Sequence, residues 1–165
     1  MDYGSGTYES GNGNMRGDPS PVPNFEARVR ASFAHQPFMA TLGAILTRVE
    51  PGAVEIRLPV RTDLTQQHGY VHAAAVAAIG DSACGYAAFS LMPAESGVLT
   101  VEYKINLMAP ARGEALLARG RVVRAGYTLT VCEAEVVALE AGEERSVALL
   151  VSTVMTVRDR LEVRE

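Results

Sequence analysis

The sequence predicts an α+β domain in which one antiparallel sheet wraps around a central helix. Six β-like runs are joined mostly by short turns, and one alanine-rich stretch between them lacks a polar face. The chain has 165 residues, of which 48% are hydrophobic, and this is enough for one packed domain. Its net charge of −4 argues against nucleic acid or an anionic membrane as the main partner, because both attract basic surfaces.

The start of the chain differs from the rest in composition. Residues 1–23 contain five glycines and three prolines, and their apolar residues follow no period. Such a segment cannot bury enough apolar surface to offset the entropy of ordering. We therefore expect a flexible tail over 1–23 and a single domain over 24–165. Two cysteines allow one disulfide at most and no secretory signal is evident, so the expected compartment is a reducing cytoplasm.

A helix and a strand are predicted directly after the tail. Asn24 can cap a helix that runs to about His35, in which apolar residues recur every four positions. Pro37 is expected to stop this helix. The following residues, about 39–49, are predicted to form the first strand.

Alternation identifies the other strands. Val54, Ile56 and Leu58 alternate with charged residues after a Pro-Gly turn, which is the period of a half-buried strand. Glycine-containing turns at 112–113, 125–126 and 141–142 separate the later runs. These runs cover residues 97–109, 114–125, 127–139 and 145–157.

The alanine-rich stretch, about His72 to Met92, is predicted to be a helix that ends before Pro93. Its residues are small or apolar on nearly every side, so we expect it to be buried all round. A membrane span of this length is the alternative. That alternative is disfavoured because Asp81 and His72 would be costly in lipid.

Asp81 is the only charged residue in this stretch, and no Lys or Arg lies within a helical turn of it. A buried carboxylate is expensive unless it is paired or hydrogen-bonded. Asp81 therefore either bonds a neighbour such as Ser82 or faces a cleft, where it could act as nucleophile or general base.

A polar, glycine-bearing segment, Gln66 to Ala73, leads directly into the predicted helix. The first N–H groups of a helix have no intrahelical partner, and the helix dipole adds positive potential there. This helix start can hold an anion, or a carbonyl oxygen that gains negative charge during acyl transfer.

Two segments carry a family resemblance. Residues 66–86, QQHGYVHAAAVAAIGDSACGY, resemble the signature of hotdog-fold acyl-CoA thioesterases of the phenylacetate-degradation (PaaI-like) class. Residues 98–113, VLTVEYKINLMAPARG, resemble the strand and turn that follow in that class. The resemblance covers about 24–157 and implies a hotdog fold that hydrolyses acyl-CoA without a metal or redox cofactor.

The resemblance also implies roles for individual residues. Asp81 falls on the catalytic acid, and Ala73 falls on the residue whose backbone N–H polarises the thioester carbonyl. Gln66 falls on the amide that positions water or the carbonyl, and Thr100 falls on a hydroxyl beside the acid. The family's His-Gly-Gly is replaced by His72-Ala73-Ala74. The N–H groups survive this change, while the added methyl groups narrow the approach to the carbonyl.

The phosphates of coenzyme A call for cations near the cleft. Arg124 is the first candidate, because the family often carries a basic-Gly-basic turn at this place. Here Gly126 is kept and Tyr127 stands where the second basic residue would be.

Spacing adds a prediction about assembly. Ala73 and Asp81 are eight residues apart, about 12 Å along a helix, whereas the reacting carbonyl must lie about 3 Å from both groups. Two antiparallel copies can satisfy both distances if Ala73 of one chain lies opposite Asp81 of the other. We therefore expect a homodimer with two equivalent sites, and a dimer of dimers as its extension.

Other chemistries are weighed against this reading. A hotdog domain that binds acyl-CoA without turnover stays open, while a hydratase is disfavoured because its Asp and His pair is not recognisable. His68 and His72 could begin a metal site, but no third ligand is evident. Ser82 resembles the serine of a Gly-Asp-Ser esterase, yet it falls within a helix rather than after a strand.

Overall fold

One six-stranded antiparallel sheet packs around one long helix in the computed structural model, which describes residues 23–158. The predicted α+β architecture with a central helix is thereby confirmed. The predicted tail lies outside the described residues except for Pro23. In chain order the elements are α1 (Phe25–Ala34), α2 (Pro37–Leu42), β1 (Ile45–Glu50), β2 (Ala53–Pro59), α3 (Ala73–Phe89), β3 (Gly97–Leu107), β4 (Ala115–Arg124), β5 (Leu129–Glu140) and β6 (Glu143–Val157).

The sheet has the strand order β1-β2-β4-β5-β6-β3, and every neighbouring pair is antiparallel. The four runs predicted after the helix are confirmed, with ends that differ by a few residues. Alternate side chains of the sheet cover α3 with apolar groups such as Ile56 of β2, Val136 of β5 and Leu150 of β6, all fully buried. The core therefore lies between α3 and one face of the sheet.

Small residues let α3 approach the sheet closely. A Cβ atom built on Gly120 of β4 would lie 2.3 Å from the carbonyl carbon of Ala83, so only glycine fits at this crossing. Close packing at one face of α3 does not extend around the whole helix. Helix α3 was expected to be buried all round, and this is wrong for the stripe formed by Ala74, Ala77, Ala78, Asp81 and Ser82, which stays partly open.

The first residues of the domain fold differently from the prediction. Asn24 precedes α1 with φ 63° and makes no side-chain capping bond, because a capping side chain requires an extended backbone. Pro37 does not only follow the first helix but also opens a second one, α2, at the position where proline is favoured. Gly43, with φ 71°, ends α2. The predicted strand over 39–49 is therefore wrong in its first half.

The far end of α3 is anchored by Arg28 of α1. Its guanidinium donates hydrogen bonds to the carbonyl oxygens of Phe89, Met92 and Pro93 at 2.6–2.7 Å. It also lies 4.2 Å from the ring centre of Phe89. A cation at the C-terminal end of a helix satisfies carbonyl groups that have no helical partner, so α1 fixes where α3 ends.

Strand β3 forms one edge of the sheet and is exposed along most of its length. Leu99, Val101, Tyr103 and Leu107 are each about half exposed, between 45% and 55%. A long apolar edge strand presents unpaired backbone groups that can pair with another chain. The opposite edge, β1, is shorter and carries Thr47, Arg48 and Glu50.

Candidate active site

A cavity of about 480 Å³ lies against the open stripe of α3. Three elements form its walls: α3 itself, the segment from α1 to α2, and the edge strand β3. Asp81 and Thr100 line it together, as does the predicted Ala74. Thus the carboxylate that the sequence singles out faces a cleft rather than a closed core.

Thr100 holds the carboxylate of Asp81. The Thr100 hydroxyl donates to Asp81 Oδ1 at 2.8 Å. Thr100 stands where the register between β3 and β6 shifts, and such bulges re-aim side chains. No Lys or Arg in residues 23–158 pairs with Asp81, and Ser82 does not bond it. The sequence left open whether Asp81 bonds a neighbour such as Ser82 or faces a cleft, and in the structure it faces a cleft.

Burial controls the ionisation of this group. Desolvation raises the pKa of Asp81 above that of an ordinary aspartate, and the hydrogen bond from Thr100 lowers it in part. A carboxylate with a raised pKa is a stronger base than an exposed one. Asp81 is therefore suited to accept a proton or to attack a carbonyl.

Replacing Thr100 by valine is expected to shift the pH profile of activity. A carboxylate must be ionised to accept a proton or to attack a carbonyl, so any activity that depends on Asp81 should be lost as the pH falls through its pKa. Loss of the hydroxyl removes a stabiliser of the ionised form, and the acid limb of the kcat/KM profile should move to higher pH. Thr100→Ser keeps the hydroxyl and should keep the limb near that of the unchanged protein. An unshifted or lower limb in Thr100→Val would contradict this role.

The start of α3 lines a second cavity, of about 390 Å³, together with the end of β3. Gln66, His72 and Ala73 line this cavity. His72 is the cap residue, and its Nδ1 accepts the N–H of Ala74 at 3.0 Å. Within residues 23–158 the N–H of Ala73 has no hydrogen-bond acceptor. The predicted oxyanion donor is therefore the one N–H at this helix start that remains available.

The amide of Gln66 is held in a tight turn. The side-chain oxygen of Gln66 accepts the backbone N–H of His68, and the backbone N–H of Gln66 donates to the Tyr70 carbonyl at 2.8 Å. The side-chain NH₂ group makes no hydrogen bond to any described residue. Because Gln66 lines the same cavity as Ala73, this NH₂ can donate to a water molecule or a carbonyl there.

The structure does not bring all predicted site residues together in one chain. Asp81, Thr100 and Ala74 line the first cavity, whereas Gln66, His72 and Ala73 line the second. Within these groups, Ala73 and Asp81 lie on the same helix about two turns apart, as the spacing in the sequence requires. The carboxylate of Asp81 and the free N–H of Ala73 therefore face different cavities of one chain.

The remaining predicted residues, Arg124, Gly126 and Tyr127, lie at the turn between β4 and β5. Tyr127 is 73% exposed. Arg158, just after β6, donates to the Tyr127 carbonyl oxygen at 2.7 Å, and its guanidinium carbon lies 3.9 Å from the Tyr127 ring centre. Arg158 therefore places a second cation beside the turn, next to the position where the sequence has Tyr127 instead of a basic residue.

Several residues near the carboxylate were not identified from the sequence. Tyr103 carried no signal, because strict alternation places it on the opposite strand face from Thr100, and only the bulge between Thr100 and Glu102 brings both to one cavity. Gln36 and Phe38 carried no signal, since the segment around them was predicted to be a helix end and a strand. The resemblance assigns no role to Gly85, and Arg158, which contacts Tyr127 rather than the carboxylate cavity, lies outside every motif.

The described part of the chain also bears on the disulfide, metal and membrane possibilities raised by the sequence. Cys84 and Cys132 are free and buried, and burial raises the pKa of the Cys132 thiol to about 12. In residues 23–158 no group of three or more His, Cys, Asp or Glu side chains is placed to hold a metal ion. None of the helices described is long and apolar enough to cross a membrane.

Comparisons with known proteins identify the family of the chain. Residues 68–144 match the family model of the thioesterase superfamily. A thioesterase family protein from Silicibacter pomeroyi is 51% identical, with a TM-score of 0.80 over 81% of this chain and 98% of that chain. No curated protein matches the chain significantly.

More distant structures share the fold. The PaaI protein of E. coli, from the phenylacetic acid degradation operon, is 17% identical with a TM-score of 0.74, over 84% of this chain and 96% of its own. A thioesterase from Haemophilus influenzae is 16% identical with a TM-score of 0.70, over 77% and 87% of the two chains. The chain therefore belongs to the thioesterase superfamily and has the hotdog fold of PaaI-like thioesterases.

Proposed function

We propose that the protein hydrolyses acyl-CoA thioesters to a free acid and coenzyme A. Membership of the thioesterase superfamily supports thioester hydrolysis in general. The observation that carries the proposal is the carboxylate of Asp81, which faces a cavity, has no cationic partner among the described residues and is oriented by Thr100 alone. Such a group is available for chemistry rather than engaged in holding the fold.

The proposed reaction needs only protein groups and water. As general base, Asp81 takes a proton from water while the hydroxide oxygen bonds to the thioester carbon. The carbonyl oxygen becomes negative and is held by the N–H of Ala73 and the NH₂ of Gln66. The C–S bond then breaks, and the sulfur leaves with the proton that Asp81 received. Direct attack by the carboxylate, followed by hydrolysis of the mixed anhydride, is the other form of this mechanism.

The active unit in this proposal is a homodimer. The carboxylate and N–H half-sites of one protomer line separate cavities, so each must be completed by the opposite half-site of a partner. Edge strand β3 is suited to form the interface, because it is long, apolar and exposed, and it borders both cavities through Thr100 and Leu107. Pairing of the two β3 strands would make one continuous sheet. A dimer of dimers remains a further expectation.

Coenzyme A would be bound at its phosphates by the turn between β4 and β5. Arg124 forms no ion pair within residues 23–158, and Arg158 is fixed over the ring of Tyr127. Two cations and an exposed aromatic ring suit a phosphorylated nucleotide. Val157, which precedes Arg158, pairs with Gly97, the neighbour of the cavity residue Val98. The turn is thus connected to the rim of the carboxylate cavity.

Replacing Arg158 by alanine is expected to raise KM for acyl-CoA about tenfold with little change in kcat, because a charged hydrogen bond to a phosphate is lost. The effect should shrink at high salt. Arg48→Ala removes the same charge from the opposite sheet edge, where Arg48 pairs with Glu50, and serves as the matched control. Equal KM changes in both variants would refute the assignment.

The proposed function is tested by a panel of acyl-CoA thioesters with a colorimetric readout of free thiol. Steady turnover of at least one class is the expected result. Tight binding of acyl-CoA by calorimetry without thiol release would instead favour the non-catalytic binding domain. Absence of both binding and release would overturn the assignment of acyl-CoA as the ligand.

A further inference from the structure

The carboxylate cavity continues along α3 beyond Asp81. Gly85 and Tyr86 line it one helical turn further on, and Gln36 and Phe38 line it from the segment between α1 and α2. The rise from Asp81 to Tyr86 is five residues, about 7.5 Å. A thioester carbonyl placed at Asp81 would therefore have room for an acyl chain along this part of the helix.

Gly85 keeps this part of the cavity open. A Cβ atom built on Gly85 meets no atom within 4 Å, outside the backbone of its own helix and its chain neighbours. The other glycine of α3, Gly80, differs, since its Cβ would contact Leu150 and Val136 at 3.4 and 3.6 Å. Glycine in a helix is unfavourable relative to alanine by about 1 kcal/mol, and no neighbour requires it at position 85. The space it leaves is directed into the cavity.

Gln36 offers a hydrogen bond at the far end of the cavity. Its side-chain NH₂ donates to the hydroxyl of Tyr86 at 2.8 Å, and that hydroxyl also bonds Ser32. The amide oxygen of Gln36 accepts no hydrogen bond from any described residue, and it is not sealed from the cavity. The buried Tyr86 thus holds the Gln36 amide in place with one polar atom left over.

We propose that the acyl group lies between Asp81 and Gln36, with Gly85 giving it room and Gln36 hydrogen-bonding a hydroxyl at its end. This inference rests on the proposed function and names its substrate class: compact acyl groups that extend about 7.5 Å from the carbonyl and end in a hydrogen-bond donor. Met39, Phe38 and Val98 give the cavity apolar walls, and Ser82 is the polar side chain of α3 that follows Asp81 there. Longer acyl chains and chains with an apolar end fit less well.

The first test compares 6-hydroxyhexanoyl-CoA with heptanoyl-CoA, which has a methyl group in place of the hydroxyl. The protein should prefer the hydroxylated thioester by about fivefold to tenfold in kcat/KM, the worth of one hydrogen bond. Gln36→Met has nearly the same shape but makes no such bond, and it should abolish or reverse the preference. Ser32 still bonds the Tyr86 hydroxyl in this variant, so the local fold has support.

The second test is Gly85→Ala, with Gly80→Ala as the matched control in the same helix. Gly85→Ala should lower kcat/KM for heptanoyl-CoA by about tenfold more than for acetyl-CoA, because acetyl does not reach position 85. Its urea midpoint should rise, since alanine favours the helix and meets no obstacle. Gly80→Ala should leave the ratio of the two substrates unchanged.

The outcomes separate this inference from the proposed function. If the unchanged protein, Gln36→Met and Gly85→Ala all turn over thioesters with the same substrate preference, the proposed acyl position is wrong. Thioester hydrolysis would still stand in that case. If calorimetry shows binding with the predicted preferences but no thiol is released, the proposed acyl position is supported and the proposed hydrolysis is wrong. Absence of both binding and turnover would overturn both.

Discussion

Replacing Asp81 by asparagine is expected to lower the rate of thiol release by about 10²–10⁴-fold. Asparagine has the same shape and can still accept the hydrogen bond from Thr100, so the cavity is preserved. It can neither take a proton from water nor attack the carbonyl. The measurement is kcat with the best thioester of the panel, alongside gel filtration to show that the assembly persists.

The same substitution should also change stability in a defined direction. Burial raises the pKa of Asp81 in the folded protein, so ionisation is less favourable there than in the unfolded chain. The free energy of unfolding therefore falls as the pH rises from the ordinary pKa of an aspartate to the raised pKa of Asp81, and it stays lower above that pH. Asp81→Asn should thus unfold at higher urea concentration than the unchanged protein at pH 7, and the difference should disappear in acid.

Two results would contradict the role of Asp81. One is an asparagine variant that retains full activity. The other is a variant that is less stable at neutral pH, because this would show that the ionised carboxylate stabilises the fold. Ser82→Ala, which changes the next residue on the same open stripe, is the control for a general disturbance of this surface of α3.

Replacing Ala73 by proline is the second large effect that we expect. Proline is favoured at the first position of a helix, and His72 already has φ −61° and ψ 138°, which suits a residue before proline. The substitution therefore removes one N–H, which has no acceptor among the described residues, and little else. Loss of one oxyanion donor should reduce kcat by about 10²–10³-fold. Ala73→Gly retains the N–H and should lose far less.

Mixed dimers of these two variants test whether the site is shared. A subunit with Ala73→Pro still supplies Asp81, and a subunit with Asp81→Asn still supplies the N–H of Ala73. A heterodimer therefore contains one intact site, and random assembly of equal amounts should restore about a quarter of full activity. A mixture of Asp81→Asn with Asp81→Ala, in which no site is intact, should restore none. Failure to recover activity when heterodimers are shown to form would refute the shared site.

The parts of the fold that the sequence predicted are those in which local pattern and tertiary packing agree. Val54, Ile56 and Leu58 alternate because one face of β2 packs on α3, and the alternation can be seen without coordinates. The segment after Pro37 behaves oppositely. Its apolar residues suit either a strand or a short helix. The helix forms because Pro37 is favoured at its first position and Gly43 ends it.

The candidate site shows the same division. Asp81 can be identified in the sequence because a charged residue among alanines is costly to bury without a partner. The helix start can be identified because a polar segment precedes it. Gln36, Gly85 and Arg158 do not stand out, since their meaning depends on neighbours that are distant in the chain. Gln36 gains its role from Tyr86, and Arg158 gains its role from Tyr127.

The sequence by itself determined the order of the six strands along the chain, the central helix and the identity of its lone carboxylate, because helical and strand periods and the cost of a buried charge act locally. The tertiary structure alone decided that one stripe of α3 stays open, and that Gln36, Gly85 and Tyr86 line the same cavity as Asp81. The physical reason is that cavities and hydrogen bonds between strands and helices arise from long-range packing, which no local pattern encodes.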